Sequence, residues 1–289
     1  MTSLESLSVP HAMRPAAILE LVKQGHVEAL IATYGPGTWR IYADLDVSMA
    51  PDGPDELFDV AASLIRPGDV VLDVGCRDAS HLIGLCRRHD ITAIGVDPVP
   101  VHIAKAAEVV SVAGLADRVS LHQATLEEAP IAMQSVDLIW CRDVLEQVAD
   151  LPAVVRAAAR ALRPGGAMIV FTVLDNGLTT SDRELLAHHR GVVPANMDSA
   201  RLMAIYAESG LLLEQTIEIG TRWREHAEER TQPVSRKLLQ LARLRRQRDE
   251  LTTTYGPDDV AHVEANLHWE LWQFLGLTLP SVHVLRRDR

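Results

Sequence analysis

The chain has 289 residues, 47% hydrophobic and 23% charged, which suits one elaborated globular domain or a domain with a small helical cap. A formal charge of −11 repels phosphate backbones, so no nucleic-acid partner is expected, and no run of about 18 apolar residues offers a membrane span. The leading residues MTSLESLSVPHAMRPAA lack the basic and then apolar order of a signal peptide. Cys76, Cys86 and Cys141 form no CxxC pair. A reducing cytoplasm, thiols used as small packing groups, and no metal site are the expectations. Scarce lysine beside abundant arginine suggests a GC-rich bacterial source, a purely compositional inference.

Along the chain, residues 1–13 read as poorly ordered, and AAILELVKQGHVEALIATYG reads as an amphipathic helix ending at Gly35. A loop punctuated by Pro51, Gly53 and Pro54 follows, then a helix in DELFDVAASLI. Residues 1–65 are thus a helical and looped lead-in. From Arg66 the rhythm changes. VVLDVG is a wholly apolar run ending in an acid and a glycine, as expected of a strand covered on both faces. Helices at 80–88, 100–113 and 151–162 alternate with strands at 91–96, 119–123, 136–141 and 167–173. Such alternation requires crossover connections and gives an α/β, Rossmann-like doubly wound sheet. A helix near 198–208 and a strand at 211–219 complete a core spanning 66–221. Helical residues within 222–279 form a lid insertion, and 280–289 returns as a last, antiparallel strand.

Ligands of doubly wound sheets bind at the carboxyl ends of the strands. The first such end is Asp73-Val74-Gly75-Cys76-Arg77-Asp78-Ala79; the second, Gly95-Val96-Asp97-Pro98, places an acid where both hydroxyls of an adenosine ribose can be held. Counted from Gly75, a GxGxxG fingerprint would need glycine at Arg77 and Ser80, so a dinucleotide pyrophosphate is disfavoured and an NAD-dependent oxidoreductase is a weak alternative. Asp73 is instead suited to attract an ammonium, directly or through water.

The series VLDVGC, IGVDP, ATLEEAP, SVDLIWCRDVLEQV and LRPGG resembles the ordered motifs of class I S-adenosylmethionine-dependent methyltransferases, most closely the branch acting on quinones, sterols and phosphoethanolamine. The likeness covers about residues 60–175. It implies that Asp73, Gly75 and Cys76 lie under the methionine moiety, that Asp97 holds the ribose, and that Pro98 edges the adenine. It places Thr125 and Leu126 beside the adenine, and Cys141 and Arg142 at the sulfonium side. Two departures stand out: Arg77 and Ala79 replace glycines of the family's loop, where positive φ costs a side chain roughly 1 kcal/mol or more. Thr125 also lacks the usual carboxylate. Pro164-Gly165-Gly166 is read as a turn feeding the fifth strand.

Gln147 stands where the phosphoethanolamine enzymes carry a histidine, so a proton acceptor must come from elsewhere. Asp143, next to the fourth strand's end, is the first candidate, with capping of a helix starting at Val144 as its alternative. Glu146 reads as a surface or capping acid, and Arg142 as either a carboxylate contact or half of a structural ion pair. In the lid, Trp269 and Trp272 share a helix face and read as core. His188 and His189 are placed in a loop after the fifth strand. Leu238, Leu241 and Leu244 are taken as the apolar side of a helix whose arginines face solvent. The resulting expectation is methyl transfer to a small, partly apolar metabolite, oxygen first. The rival is a non-methylating protein on the same scaffold, a cyclase or a binding protein.

Overall fold

A computed structural model describes residues 27–33 and 36–288. The expectations for residues 1–13 and for much of the 15–35 helix fall outside the described residues; 27–33 are helical. Residues up to Ala50 form one unit and Pro51–Arg289 another. In the first unit, Pro36–Leu45 is a helix (α1) where a loop was expected. Pro36 occupies its first turn, where the missing N–H costs nothing and the fixed φ favours the helix.

The second unit is built on a seven-stranded sheet: β1 Val70–Val74, β2 Thr92–Val96, β3 Val119–His122, β4 Val136–Arg142, β5 Leu162–Asp175, β6 Leu211–Glu218 and β7 Thr278–Arg287. Their order is β3-β2-β1-β4-β5-β7-β6. The first five strands are parallel and β7 runs antiparallel between β5 and β6. This is the α/β, doubly wound architecture expected, with the order reversing between β1 and β4. Helix α2 Glu56–Ala62 leads into β1, and α3 Ser80–Arg88, α4 Pro100–Val112, α5 Leu151–Ala161, α6 Thr180–Arg190 and α7 Ser199–Glu208 connect the strands.

Side-chain alternation divides the core between the two faces of the sheet. Val71, Ala93, Leu138, Trp140, Ile169 and Phe171 meet α2, α3, α4 and α6 on one face. Leu72, Val96, Ile139, Cys141, Met168 and Val170 meet α5 and α7 on the other. The three cysteines are buried free thiols. Pro164-Gly165-Gly166 lies within β5 rather than before it: Gly165 has φ 78°, and the pairing with β4 shifts register at Val136/Leu138.

Between β6 and β7 stand four helices: α8 Arg222–Thr231, α9 Pro233–Arg246, α10 Arg248–Tyr255 and α11 Pro257–Phe274. They hold a core of their own, with Val234, Leu241 and Leu244 packed against Val260, Leu267 and Leu271. Leu238, assigned above to the apolar side, is instead 54% exposed, because the buried stripe runs through 234, 241 and 244. Trp269 and Trp272 are core residues, as expected. No helix among the described residues is long and apolar enough to cross a membrane.

Helix α6 corrects the expectation of a loop around His188 and His189, which occupy its last turn. Its signal is a capping box. Thr179 Oγ1 accepts from the Asp182 N–H at 3.2 Å, and Asp182 Oδ2 accepts from the Thr179 N–H at 2.9 Å. Thr179→Ala removes one arm of that box and is expected to cost about 1 kcal/mol, read as a lower urea midpoint at unchanged slope. An unchanged midpoint would show that the box does not hold the helix start.

Candidate active site

Burial on both faces forces the first strand to end abruptly, and its exit loop is tied to β2. The N–H groups of Gly75 and Cys76 both donate to Val96 O, at 2.8 and 3.2 Å. Gly75, Arg77 and Ala79 all take positive φ, 74°, 48° and 60°. The side chains at 77 and 79 therefore do not reroute the loop; it keeps the left-handed path that glycine would take, at the local cost noted above. At Gly75 itself a Cβ would run into the Val144 side chain, so that glycine is required for space as well as for φ.

Asp97 secures the same loop from the far side. Its Oδ2 accepts from the Arg77 N–H at 3.0 Å, its Oδ1 from the Val99 N–H at 2.9 Å, and His102 Nδ1 stands 3.1 Å from Oδ1. His102, five residues on and in the first turn of α4, was not singled out from the sequence, although an acid followed by a histidine at a helix start is a usable signal.

These elements open onto a cavity of about 670 Å³ at the carboxyl ends of β1, β2 and β4, where the strand order reverses. Gly75, Cys76, Asp97, Pro98, Thr125, Leu126, Arg142 and Asp143 all line it, as do His81, His102, Glu127 and Gln147. Asp73 and Cys141 do not; both are about 1% exposed and lie beneath the floor. Thr125 Oγ1 donates to Glu128 Oε2 at 3.1 Å, and the exposed Glu127 lines the same end.

At the other end the backbone turns sharply after β4. The Asp143 N–H donates to Phe171 O at 3.0 Å, and Asp143 itself has φ 56°, so its carboxylate is thrust into the cavity. No helix begins at Val144. A single 3-10 turn, Leu145–Gln147, follows without a side-chain cap, which removes the capping alternative for Asp143. Its side chain keeps 45% of its surface open to the cavity yet is walled by protein, and that desolvation pushes its carboxyl upward against the pull of Arg142, Arg224 and Arg190.

Glu146 is the larger correction. It is 1% exposed rather than a surface acid, with Thr172 Oγ1 3.4 Å from its Oε2. Burial, then the charge of Asp143, drives its carboxyl up to about 8. β5 is buried without a break from Ala167 to Val173, and side-chain alternation puts Thr172 on the face of Met168 and Val170, where it meets Glu146, a relation the sequence does not display.

His81 and Arg142 complete this end. Arg142 Nη1 donates to His81 Nε2 at 2.9 Å, and its Nε lies 3.6 Å from Asp143 Oδ2. Burial and the neighbouring Arg142 depress His81 to about 4, so the ring is neutral at physiological pH.

Against known proteins, residues 72–170 match the family model described as a methyltransferase domain. The resemblance to class I S-adenosylmethionine-dependent methyltransferases holds. Among curated relatives, the chain is 29% identical to a 27-O-demethylrifamycin SV methyltransferase of Amycolatopsis mediterranei over 46% of this chain and 50% of that one. It is 34% identical to a ubiquinone biosynthesis O-methyltransferase of Xanthomonas campestris pv. campestris over 42% and 49%. The chain thus spans about half the length of these relatives. Among solved structures, a 4+2 cyclase, SpnF, superposes with TM-score 0.64 at 20% identity, covering 81% of each chain. A phosphoethanolamine N-methyltransferase 2 of Haemonchus contortus gives 0.62 at 16%, covering 84% of this chain and 54% of that one. At such identities the structural likeness concerns the fold alone.

The raised Glu146 carboxyl has a stability consequence. A folded value near 8 against an ordinary 4.5 means that the folded chain holds the extra proton between those limits, so this group subtracts stability as pH rises from 4.5 to about 8. Its slope approaches at most about 1.4 kcal/mol per pH unit. Glu146→Gln is expected to flatten that decline, leaving the variant near wild type at pH 4.5 and more stable at pH 8 in urea melts. An unaltered slope would mean that Glu146 is ionised throughout.

Proposed function

We propose that the chain is an S-adenosylmethionine-dependent methyltransferase acting on a small-molecule metabolite, with oxygen as the acceptor atom. The observation that carries this reading is the cavity at the switch point, floored by the left-handed Gly75–Ala79 loop and edged by the Asp97 carboxylate. The residues present fit the donor. Asp73 Oδ2 is buried with no hydrogen-bond partner, and burial together with the charge of Asp97 raises its carboxyl. A cationic group or bound water in the overlying cavity relieves that orphaned oxygen. Asp97 oxygens that already accept backbone N–H groups retain lone-pair capacity for hydroxyl donors. Pro98, Leu126 and Val154 give apolar wall to the same end.

When bound, S-adenosylmethionine supplies an electrophilic methyl group. The protein's contribution is alignment and the exclusion of water. Asp143 projects into the cavity from the β4 turn and is placed to orient a hydroxyl and take its proton. Desolvation brings its basicity closer to neutral, as a general base requires. Gln147, also on the wall, cannot take a proton and serves as a hydrogen-bonding group. The names of the curated relatives support oxygen, since one acts on a demethylrifamycin and another in ubiquinone biosynthesis. Three buried, unpaired thiols suit the reducing interior of a bacterial cell.

A second reading is a non-methylating protein on this scaffold. It is favoured by Arg142 standing beside Asp143, which competes for the base.

Calorimetry with S-adenosylmethionine, S-adenosylhomocysteine and NAD, followed by labelled-methyl transfer to candidate hydroxylated metabolites, separates the two. Transfer to an acceptor is expected. Binding without transfer to any acceptor favours the second reading, and failure to bind either sulfur ligand rejects the methyltransferase reading. Asp97→Ala is expected to weaken S-adenosylhomocysteine at least tenfold, about 1.4 kcal/mol; unchanged affinity would remove the ribose assignment.

A further inference from the structure

Two arginines line the cavity, Arg77 and Arg142, and they differ in how they are held. Arg77 is exposed, whereas Arg142 is locked in place. Its guanidinium carbon sits 5.4 Å from the Phe171 ring centroid and 5.7 Å from that of Trp223. Those rings stack on each other at 4.9 Å and 4°, forming an apolar wall behind the cation. Nη1 is fixed by His81, and because that ring is neutral, the bond orients the guanidinium without cancelling its charge. The Nε–Asp143 approach of 3.6 Å is too long for a forked pair. Among the described residues no partner takes a hydrogen bond from Nη2.

Burial, Arg224 and Arg77 press against the charge of Arg142 and Asp143 favours it, so the buried cation has charge left to be met from the cavity. Arg224 and Arg190 act on the charge of Asp143 from the lid and from α6. Arg224 is engaged by Gln273 at 2.8 Å and Glu270 at 3.2 Å; Arg190 bonds Asn266 and lies over the Trp269 ring at 4.6 Å. A guanidinium oriented in this way repels a sulfonium, so its complement in the cavity is an anion. Asp143, and Asp78 with its carboxyl held low by Ser80, stand close by and oppose a dianion. A planar monoanion is the species the site tolerates.

We propose that Arg142 is a carboxylate receptor, its Nη2 edge presented to the cavity by the Phe171–Trp223 stack and by His81. Two ligands carry that chemistry, the amino-acid end of the donor and an acid group on the acceptor. The inference rests on the methyltransferase reading above.

Calorimetry on the full chain tests it, with wild type, Arg142→Gln and Arg142→Lys. The probes are S-adenosylhomocysteine; methylthioadenosine, which keeps the nucleoside and sulfur but has no carboxylate; and benzoate against benzamide, on both free and S-adenosylhomocysteine-loaded protein. The glutamine variant is expected to lose at least tenfold, about 1.4 kcal/mol, for one carboxylate probe while methylthioadenosine and benzamide stay within twofold. Loss confined to S-adenosylhomocysteine assigns the donor, and loss confined to benzoate assigns the acceptor. The lysine variant, charged but without the fork, should retain part of the affinity, and it carries the test if the glutamine variant does not fold.

Unchanged S-adenosylhomocysteine binding, together with no Arg142-dependent preference for benzoate over benzamide, overturns the proposal. So does an equal loss for S-adenosylhomocysteine and methylthioadenosine. A wild type that binds neither nucleoside fails the parent reading instead, and benzoate binding to the free protein still reports on Arg142.

Discussion

The hydrogen bond from the Arg77 backbone to the Asp97 carboxylate joins the two strand ends that define the site. The Gly75 and Cys76 N–H groups on Val96 O also tie the loop to β2, and the Ala79 N–H on Cys76 O closes it on itself. A loop carrying side chains at two left-handed positions stores roughly 1 kcal/mol or more at each, and that strain must be offset by contacts elsewhere. The carboxylate of Asp97 supplies one such contact, the 0% exposed packing of Ala79 another. Asp97 therefore serves the fold and the cavity together: the acid that positions the loop also edges the space above it. Binding and local stability are consequently coupled at this residue, and its replacement disturbs both.

Charge at the β4 end follows from the same geometry. Because Asp143 is turned inward at positive φ, its carboxylate meets arginines from three separate elements, while Glu146 three residues later is pulled out of water. Two acids so close in a poorly hydrated region cannot both ionise cheaply. Burial and the charge of Asp143 raise the deeper one to about 8, while Arg142, Arg224 and Arg190 pull Asp143 down against its own desolvation. Arg142 inherits the result: it faces one carboxylate at 3.6 Å and a neutral histidine at 2.9 Å, supported from behind by two stacked aromatic rings.

Much of the sheet was legible in the sequence because strands covered on both faces must be apolar throughout, and those runs are separated by helices with clear periodicity. Helix α3, for instance, is found at the expected residues 80–88. The loops that open onto the cavity were legible for a related reason, since the apolar runs through Val74 and Val96 mark where β1 and β2 end. What escaped were features set by tertiary contact. Glu146 lies in a segment that sequence reads as a helix start, and only the inward course of the 3-10 turn, clamped by Asn196 Nδ2 donating to Leu145 O at 3.0 Å and Val148 O at 2.8 Å, buries it. His81 and His102 sit in first turns whose facing is decided by the loops before them. Helix α6 had a local signal in Thr179 and Asp182, but its low apolar content masked the periodicity.

The helical insertion between β6 and β7 shows why sequence assigns its helices but not its attachments. Its inner core of Val234, Leu241 and Val260 makes it a small bundle with a core of its own. It joins the rest of the unit through Trp223, Trp269 and Trp272, which belong to the main core, and through polar contacts: Trp223 Nε1 donates to Glu56 Oε2 at 3.1 Å, and His226 Nδ1 lies 2.8 Å from Pro51 O. Such single hydrogen bonds are worth roughly 0.5–1.5 kcal/mol each, less than the burial of one large apolar side chain. Trp223, however, also stacks on Phe171 and so forms part of the wall behind Arg142. Any motion of α8 away from α2 would therefore remove half of that wall. The orientation of the Arg142 guanidinium depends in this way on the seating of the insertion, so α8 and the β4 end of the cavity act as one element.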